Sequence, residues 1–390
     1  MASAVLHPAG RPSQPPPLAL YIHIPWCVRK CPYCDFNSHP LREDLPEAAY
    51  LDALERDLTQ ALPQVWGREV VSVFIGGGTP SLLSAEGVDR LLTCVRTLLR
   101  LRPGAEITLE ANPGTFEAAR FRAYRDAGVN RLSLGIQSFD DRSLAALGRI
   151  HSAREAHAAV ETALALFDSV NLDLMYALPG QDLAALSADL DAALAYRPAH
   201  LSLYHLTLEP NTAFAAHPPP LPDHDLAAEM QDLIEARLAA AGYDHYETSA
   251  YALPGRHCRH NLNYWTFGDY LGIGAGAHSK LSLPEGIVRQ VRVKHPRPYL
   301  EHAGSAQAIA ESQPVRRRDL PFEFMMNALR LTRGFDKALF TARTGLPLSA
   351  VSKPLDQAEA RGLIVQDGER IRPTERGRRY LNDLLQLFLD

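Results

Sequence analysis

Alternation of β-prone and helical segments is the feature that most restricts how this chain can fold. β-prone runs predict strands at 18–24, 70–75, 106–111, 131–136, 171–176 and 200–206. Helical patterns lie between them, at about 47–61, 84–100, 116–127, 152–167 and 182–195. Such alternation is typical of βαβ units on a parallel sheet. Because crossovers are right-handed, six units predict an α/β fold that curls into a partial (β/α)6 barrel.

Polar and glycine residues stand at the ends of these predicted strands. The strand ends carry His23, the segment GGGTP (76–80), Glu110, Gln137 and Asp173. In βα barrels the functional residues lie at the carboxyl ends of the strands. The sequence therefore predicts one site at this end of the barrel.

Three cysteines follow the first predicted strand closely. Cys27, Cys31 and Cys34 have C-x₃-C-x₂-C spacing, and five cysteines in 390 residues are too few for a disulfide framework. Chance does not explain three thiols so close together at this low cysteine content. Structural zinc, with His23 or His39 as fourth ligand, would lack the distant second cysteine pair of most zinc modules. An iron–sulfur cluster is the third and favoured hypothesis, since thiolates hold such clusters directly.

Three thiolates leave one iron of a cubane cluster open. An open iron can chelate a small ligand through an amine and a carboxylate, such as the amino-acid end of S-adenosylmethionine. The cysteines therefore predict a 4Fe-4S cluster with a free coordination site just after the first strand.

Charge and hydropathy exclude several function classes. The net formal charge is −5, so the chain as a whole is not an electrostatic binder of nucleic acid. No uninterrupted apolar run of about 18 residues occurs, so no transmembrane helix is predicted. The N-terminal segment lacks the basic start and apolar core of a secretory signal, which favours a cytoplasmic location.

Four regions are predicted along the chain. Residues 1–17 form a disordered, proline-rich tail, residues 18–285 the barrel, and residues 286–320 a connection. Residues 321–390 predict a small α+β domain like a winged helix, with three helices, a hairpin and a last helix. Its mild, mixed charge favours packing or partner binding over nucleic-acid binding.

The motifs together resemble those of a known family. The run LYIHIPWC…CPYCDF is followed by GGGTPS, GIQSF, LGRIH, HNLNYW and GIGAGAHS, all within residues 20–279. C-x₃-C-x₂-C after the first strand is the signature of the radical S-adenosylmethionine superfamily. More narrowly, the chain resembles the branch that contains oxygen-independent coproporphyrinogen III oxidase and haem chaperones.

This resemblance implies the cofactor sites. The three cysteines would hold the 4Fe-4S cluster, and the glycine-rich segment would back the methionine amine of S-adenosylmethionine. The residues that the resemblance assigns to S-adenosylmethionine are Tyr21, Tyr33, Gly77, Gly78, Thr79, Glu110, Gln137, Arg149 and Asp173. Glu110 would accept hydrogen bonds from the nucleoside, and Arg149 would meet a carboxylate through two hydrogen bonds. One site or two for this cofactor both remain open.

Phe36 and the segment HNLNYW (260–265) separate the two members of the branch. The oxidase typically has a fourth cysteine where Phe36 stands, whereas the chaperones have Phe there and a haem-linked H-N-x-x-Y-W segment. Haem needs an axial ligand and apolar walls, which His260, Tyr264 and Trp265 would supply. A hydrogen-bonded loop plug is the alternative role, and His257 and Cys258 are rival ligands.

The resemblance therefore implies a haem chaperone that delivers haem to a respiratory membrane protein, with transient contact at the membrane surface. The alternative is oxygen-independent coproporphyrinogen III oxidase, a radical enzyme of haem biosynthesis. Haem and S-adenosylmethionine are the expected ligands, and nucleic acid is not expected as a partner.

Overall fold

The structure is a computed structural model that describes residues 14–115 and 118–389. Its strands in chain order are β1 Leu18–Ile24, β2 Trp26–Cys27, β3 His39–Pro40, β4 Glu69–Gly77, β5 Arg100–Ala111, β6 Arg131–Gln137, β7 Val170–Tyr176, β8 His200–His205, β9 Asp244–Glu247, β10 Ala250–Ala252, β11 Asp269–Ile273, β12 His278–Leu283, β13 Gly286–Arg292, β14 Ile309–Pro314, β15 Phe335–Asp336, β16 Ile364–Asp367 and β17 Arg370–Pro373. Its α-helices are α1 Glu47–Val65, α2 Ala85–Leu98, α3 Ala118–Ala127, α4 Asp141–Ala146, α5 Ala153–Leu166, α6 Leu183–Ala195, α7 Ala213–Ala216, α8 His224–Ala240, α9 Arg259–Trp265, α10 Pro296–His302, α11 Leu320–Ala328, α12 Lys337–Thr344, α13 Ser352–Ala360, α14 Glu375–Arg379 and α15 Leu381–Gln386.

The six predicted strands form the parallel centre of one sheet. They are β1, β4, β5, β6, β7 and β8, neighbours in that order. Leu20 and Ile22 of β1 are fully buried in the core beneath the outer helices, while Tyr21 and His23 line the opposite, concave face. Because one face packs beneath helices and the other lines the lumen, apolar residues alternate with other residues along β6, β7 and β8. The predicted partial (β/α)6 barrel is confirmed.

Side-chain caps fix where the outer helices begin. Ser84, Ser152 and Asp182 precede α2, α5 and α6, and each accepts a hydrogen bond from a backbone N–H of the first helical turn. Such a cap satisfies an otherwise unpaired donor and contributes about 1 kcal/mol. The helix starts are therefore local properties of the sequence.

The sheet continues beyond both ends of the predicted six strands. β11 pairs in parallel with β1, and β12, β13 and β14 follow it in antiparallel order. On the other side, β10 pairs with β8 and β9 pairs with β10. The region predicted as a connection, 286–320, thus contains two strands of this sheet. The basic residues of this region suggested an exposed connection. Arg292 is instead buried against Asp57, with an Nε–Oδ1 distance of 2.9 Å.

Helix α9 lies against the concave face, in the lumen of the barrel. Glu106 of β5 accepts hydrogen bonds from the backbone N–H groups of Arg259 and His260, at 3.1 and 3.0 Å. Asn263 donates to the carbonyl of Asp269 at 2.8 Å. These bonds hold α9 near the amino-terminal ends of the strands, so the carboxyl ends stay available for a site.

The C-terminal residues form a separate small core. β15, β17 and β16 make a three-stranded sheet, and β16 and β17 are the predicted hairpin. The ring of Phe324 lies 5.0 and 5.2 Å from those of Phe335 and Phe340. The predicted last helix is interrupted at Tyr380 and becomes α14 and α15.

None of the helices within the described ranges is long and apolar enough to cross a membrane. Most of the predicted tail, residues 1–13, lies outside the described residues. Its last part meets the barrel, because Arg68 donates to the carbonyl of Pro16 at 2.6 Å.

Candidate functional site

The cysteine loop, residues 27–40, stands at the carboxyl end of β1. β2 and β3 pair in parallel at its base. Lys30 donates from Nζ to the carbonyls of Phe36 and Ser38 at 3.0 and 3.3 Å. The backbone N–H of Cys34 donates to the carbonyl of Cys31 at 3.2 Å. These bonds place the three thiols on one compact loop, as the spacing predicts.

The three thiols are partly exposed and unpaired. Burial raises the pKa of Cys27, opposed by a hydrogen bond with Thr79, and burial likewise raises the pKa of Cys34. Within residues 14–115 and 118–389, no three His, Cys, Asp or Glu side chains converge closely enough to hold a single ion. A cubane cluster with three protein thiolates takes one per iron, so its ligands surround a cluster rather than a point. Three free thiols on one loop have the chemistry that this cofactor needs.

The guanidinium of Arg149 lies against the cysteine loop. Its Nη1 is 3.6 Å from Sγ of Cys31, and its Nη2 donates to Oδ1 of Asn112 and to the carbonyl of Gly135, both at 2.7 Å. Its Nε is buried and has no hydrogen-bond partner among the described residues. A guanidinium that lines a hollow beside a thiol fits a carboxylate ligand.

Tyr33 and Gln137 lie on the same side of the loop as Arg149. The ring of Tyr33 packs against that of Phe214, with centroids 6.3 Å apart, and this contact anchors the loop. Gln137 ends β6 with φ of 68°, a conformation that non-glycine residues adopt at a cost. Its amide lies close to Gly135 and therefore to Arg149.

The glycine-rich segment packs against the protein's own atoms. The backbone N–H of Gly77 donates to Oε2 of Glu110 at 3.0 Å. A β-carbon on Gly77, whose φ is 116°, would lie 2.7 Å from the ring of His23. One on Gly78 would lie 2.4 Å from the carbonyl oxygen of Trp26. Glycine is therefore required at both positions by the approach of β1 and the cysteine loop, in addition to any bound ligand.

Two carboxyl groups, Glu110 and Asp173, lie on the concave face. Burial, followed by repulsion from Asp173, raises the pKa of Glu110 to about 8. Burial also raises the pKa of Asp173, opposed by hydrogen bonds that Ser133 and Asn171 donate to its carboxylate, both at 2.9 Å. Near pH 7 most molecules therefore carry a proton on Glu110, and a protonated carboxyl donates a hydrogen bond as well as accepting one.

A chain of hydrogen bonds leads from Tyr21 to the cysteine loop. Nε2 of His23 lies 2.8 Å from the carbonyl oxygen of Asn37, so this nitrogen donates. Nδ1 of the neutral ring then accepts from the hydroxyl of Tyr21, at 3.0 Å. Burial raises the pKa of Tyr21, which keeps its hydroxyl protonated.

An aromatic cavity of about 340 Å³ opens on the Phe36 side of the cysteine loop. Its lining residues are Tyr21, His23, Phe36, Asn37, Gly77, Tyr264, Tyr270, Gly276 and His278. The rings of Tyr264 and Tyr270 lie 4.3 Å apart, and Phe36 is 59% exposed although its ring is apolar. The cavity shares no lining residue with the hollow around Arg149.

His260 lies behind this cavity rather than in its wall. It is 2% exposed, and its ring packs between Phe74 at 4.9 Å and Tyr264 at 5.1 Å. Its Nδ1 is 3.1 Å from Oγ of Ser72, and its Nε2 has no partner among the described residues. Burial, followed by the charge of Arg131, lowers the pKa of His260 to about 3, so the imidazole is neutral.

The rival ligands are occupied by other contacts. Nε2 of His257 is 2.9 Å from a carboxylate oxygen of Asp244. Cys258 is fully buried, with Sγ 3.5 Å from Oε1 of Glu106. Trp265 packs against the guanidinium of Arg330 at 4.5 Å, which joins α9 to the C-terminal domain. The segment HNLNYW thus contributes only Tyr264 to the cavity wall.

Four residues of the site were not predicted from the sequence, namely Asn37, Asn112, Tyr270 and His278. Asn37 donates from Nδ2 to the carbonyls of Ala275 and Lys294, at 3.0 and 2.8 Å. Asn37, Tyr270 and His278 stand in or beside quoted motifs, and Asn112 stands two residues after Glu110, which is the available signal. The pairing of β1 with β11, which brings Tyr270 and His278 to the cysteine loop, spans more than 200 residues of chain and leaves no local pattern.

Comparison with known families gives two matches. The radical SAM superfamily matches residues 21–193, and the HemN C-terminal domain matches residues 315–380. The two matches fall on the barrel and on the small C-terminal core.

Individual relatives match over nearly the whole chain. Heme chaperone HemW of Escherichia coli (strain K12) is 49% identical over 376 residues, which cover 96% of this chain and 98% of the relative. Heme chaperone HemW of Bacillus subtilis (strain 168) is 33% identical over 381 residues, covering 95% and 98%. Among solved structures, coproporphyrinogen III oxidase (HemN) from Escherichia coli, described as a radical SAM enzyme, superposes with a TM-score of 0.81 at 25% identity, covering 96% of this chain and 90% of that chain.

Proposed function

The chain belongs to the HemW family of the radical S-adenosylmethionine superfamily, and we propose that it is a haem chaperone. It binds haem as cargo in the cytoplasm and passes it to a respiratory membrane protein. The observation that carries the proposal is the exposed Phe36 on an aromatic cavity beside the cysteine loop. An open aromatic cavity suits reversible binding of a flat, apolar macrocycle.

The superfamily implies a 4Fe-4S cluster and S-adenosylmethionine, and the residues present fit both. Cys27, Cys31 and Cys34 would hold the cluster, which when bound supplies an open iron able to chelate an amine and a carboxylate. Arg149 lines the hollow beside Cys31 and would bind the carboxylate of S-adenosylmethionine. Glu110 would exchange hydrogen bonds with the nucleoside, because its carboxyl is largely protonated near pH 7.

The second candidate is oxygen-independent coproporphyrinogen III oxidase, favoured by the structural similarity to HemN. Two features of this chain speak against it. Phe36 stands where the oxidase typically has a fourth cysteine. The described residues that line the aromatic cavity include no Lys or Arg, although coproporphyrinogen carries four carboxylates and haem only two. Both features favour haem as the ligand.

One paired assay decides between the candidates. After anaerobic reconstitution of the cluster, haem is titrated and followed by its Soret band. The same preparation is incubated with coproporphyrinogen III, S-adenosylmethionine and a reductant. We expect saturable haem binding and no protoporphyrinogen IX, and robust conversion would overturn the chaperone proposal.

Delivery requires a separate measurement. Haem-loaded protein is mixed with vesicles that contain a respiratory cytochrome lacking its haem, and the cytochrome spectrum is recorded over time. We expect faster reconstitution than with the same concentration of free haem. Equal rates from loaded protein and free haem would show that the protein does not deliver its cargo.

A further inference from the structure

The aromatic cavity has a buried inner end and an exposed outer end. His23 and Gly77 are buried at the inner end, where the resemblance expects S-adenosylmethionine. Phe36 and His278 are exposed at the outer end. A ligand at the outer end would therefore lie beside the cofactor while remaining open to exchange with solvent or a partner.

Among the described residues that line this cavity, one of the two imidazoles has no hydrogen-bond partner. His23 uses both ring nitrogens, Nε2 toward Asn37 at 2.8 Å and Nδ1 toward Tyr21 at 3.0 Å. His260 lies outside the cavity, behind Tyr264. Neither ring nitrogen of His278 has a hydrogen-bond partner in the part of the chain that the structure describes.

We infer that His278 is the axial ligand of the haem iron, and that the porphyrin lies in the outer cavity against Phe36, Tyr264 and Tyr270. This inference rests on the proposed haem binding and goes beyond it by naming the ligand. It replaces the candidate of the sequence analysis, His260, with a histidine that lines the cavity.

The chemistry of His278 suits this role. It is the first residue of β12, and its backbone is fixed by pairing with Val291 of β13. Partial burial, followed by the charges of Lys294 and Arg289, lowers the pKa of His278, so the ring is neutral near pH 7. A neutral imidazole has a lone pair available for iron, whereas a protonated one does not.

Lys294, which is not among the residues that line the cavity, would supply one cation beside His278 for a propionate. It lies near enough to His278 to affect that ring's charge, its side chain is exposed, and it forms no salt bridge within the described residues. The neighbouring cation Arg289 is already paired with Glu323. The carbonyl of Lys294 accepts a hydrogen bond from Asn37, so the rim of the cavity is tied to the cysteine loop.

The test compares three histidine variants in cluster-reconstituted, full-length protein. They are His278→Ala, His260→Ala and the control His224→Ala, a histidine exposed at the start of α8. We expect His278→Ala to shift the Soret band and to weaken haem affinity about ten-fold or more. Added imidazole should restore the band in this variant. His224→Ala should bind as wild type does, and iron and sulfide contents check that each variant is folded.

The outcomes separate this inference from the proposed function. Failure of the wild type to bind haem would overturn both. Haem binding by the wild type, with His278→Ala unchanged in band position and affinity, would overturn the inference alone. If His260→Ala then lost the wild-type band, the buried histidine would be the ligand, reached only after Tyr264 moves.

Discussion

The two sides of the cysteine loop differ in how far their polar groups are already paired. On the Arg149 side, a buried guanidinium is held by Asn112 and Gly135 and touches the thiol of Cys31. On the Phe36 side, aromatic rings surround an open cavity whose exposed imidazole has no partner among the described residues. Pre-placed polar groups favour tight, oriented binding, whereas an open apolar surface favours exchange. The difference suits a retained cofactor on one side and a transferable cargo on the other.

Removal of the thiols should abolish cluster binding and leave haem binding on the Phe36 side intact. Cys27→Ala, Cys31→Ala and Cys34→Ala should each lose most of the reconstituted iron and sulfide, because each removes one of three protein ligands. Haem binding should persist, because Lys30 and Asn37 hold the loop without the cluster. Iron, sulfide and haem are measured on the same samples.

The matched control for these variants is Cys94→Ala. Cys94 is a partly buried cysteine on α2 that packs against the barrel core. It should keep its full iron content. Stoichiometric zinc with negligible iron in freshly isolated wild type would contradict the cluster assignment.

Arg149→Met should produce the next largest effect, confined to S-adenosylmethionine. A hydrogen bond to a charged group contributes about 1.5–3 kcal/mol, so affinity should fall roughly ten- to hundred-fold. Binding is followed by the change in the paramagnetic resonance signal of the reduced cluster. Arg149→Lys keeps the charge but loses the planar fork, and should recover only part of the affinity. Equal loss of haem and cofactor binding in Arg149→Met would contradict the separation of the two sides.

Phe36→Ala should weaken haem binding more modestly. An aromatic contact of this kind is worth about 0.5–1.5 kcal/mol, which corresponds to roughly two- to ten-fold in affinity. Phe36→Tyr keeps the ring and should bind haem as wild type does. Iron content and the response to S-adenosylmethionine should not change in either variant. An unaltered haem affinity in Phe36→Ala would remove Phe36 from the site and leave it only as a marker of the family.

The centre of the fold is predictable because its determinants are local. The runs that form β6, β7 and β8 carry an apolar residue at every second position, because one face packs beneath the outer helices while the other lines the lumen. The outer strands are not predictable in this way. β13 contains Arg289, Gln290 and Arg292, and these residues are compatible with a strand only because Glu323 and Asp57 meet them from distant parts of the chain.

The same distinction, between local motifs and contacts from distant parts of the chain, applies to the residues of the site. The cysteines, the glycine-rich segment and Arg149 belong to short motifs, and the structure brings them together around one loop. The sequence does not show which histidine faces the cavity, because His260 and His278 both stand in quoted motifs. Which of them faces a cavity depends on the position of α9 in the lumen and on the pairing of β11 with β1. The alternating segment around PEG at 284–286 was the available signal for the β12–β13 hairpin.

Glu110→Gln should have the smallest effect of these variants on haem binding, and should change the pH dependence of stability. Because burial raises the pKa of Glu110 to about 8 from its ordinary value of 4.5, the folded chain binds this proton more tightly than the unfolded chain does. Stability from this group is therefore present below about pH 4.5 and declines as pH rises toward 8. The variant Glu110→Gln has no ionisable group at this position. Its urea unfolding midpoint should therefore rise relative to that of wild type between pH 5 and 8, and the difference should be largest at pH 8. Glu285→Gln, on an exposed turn, is the control and should run parallel to wild type. Parallel curves for Glu110→Gln and wild type would mean that Glu110 is already ionised near neutral pH, and would leave it as an acceptor only.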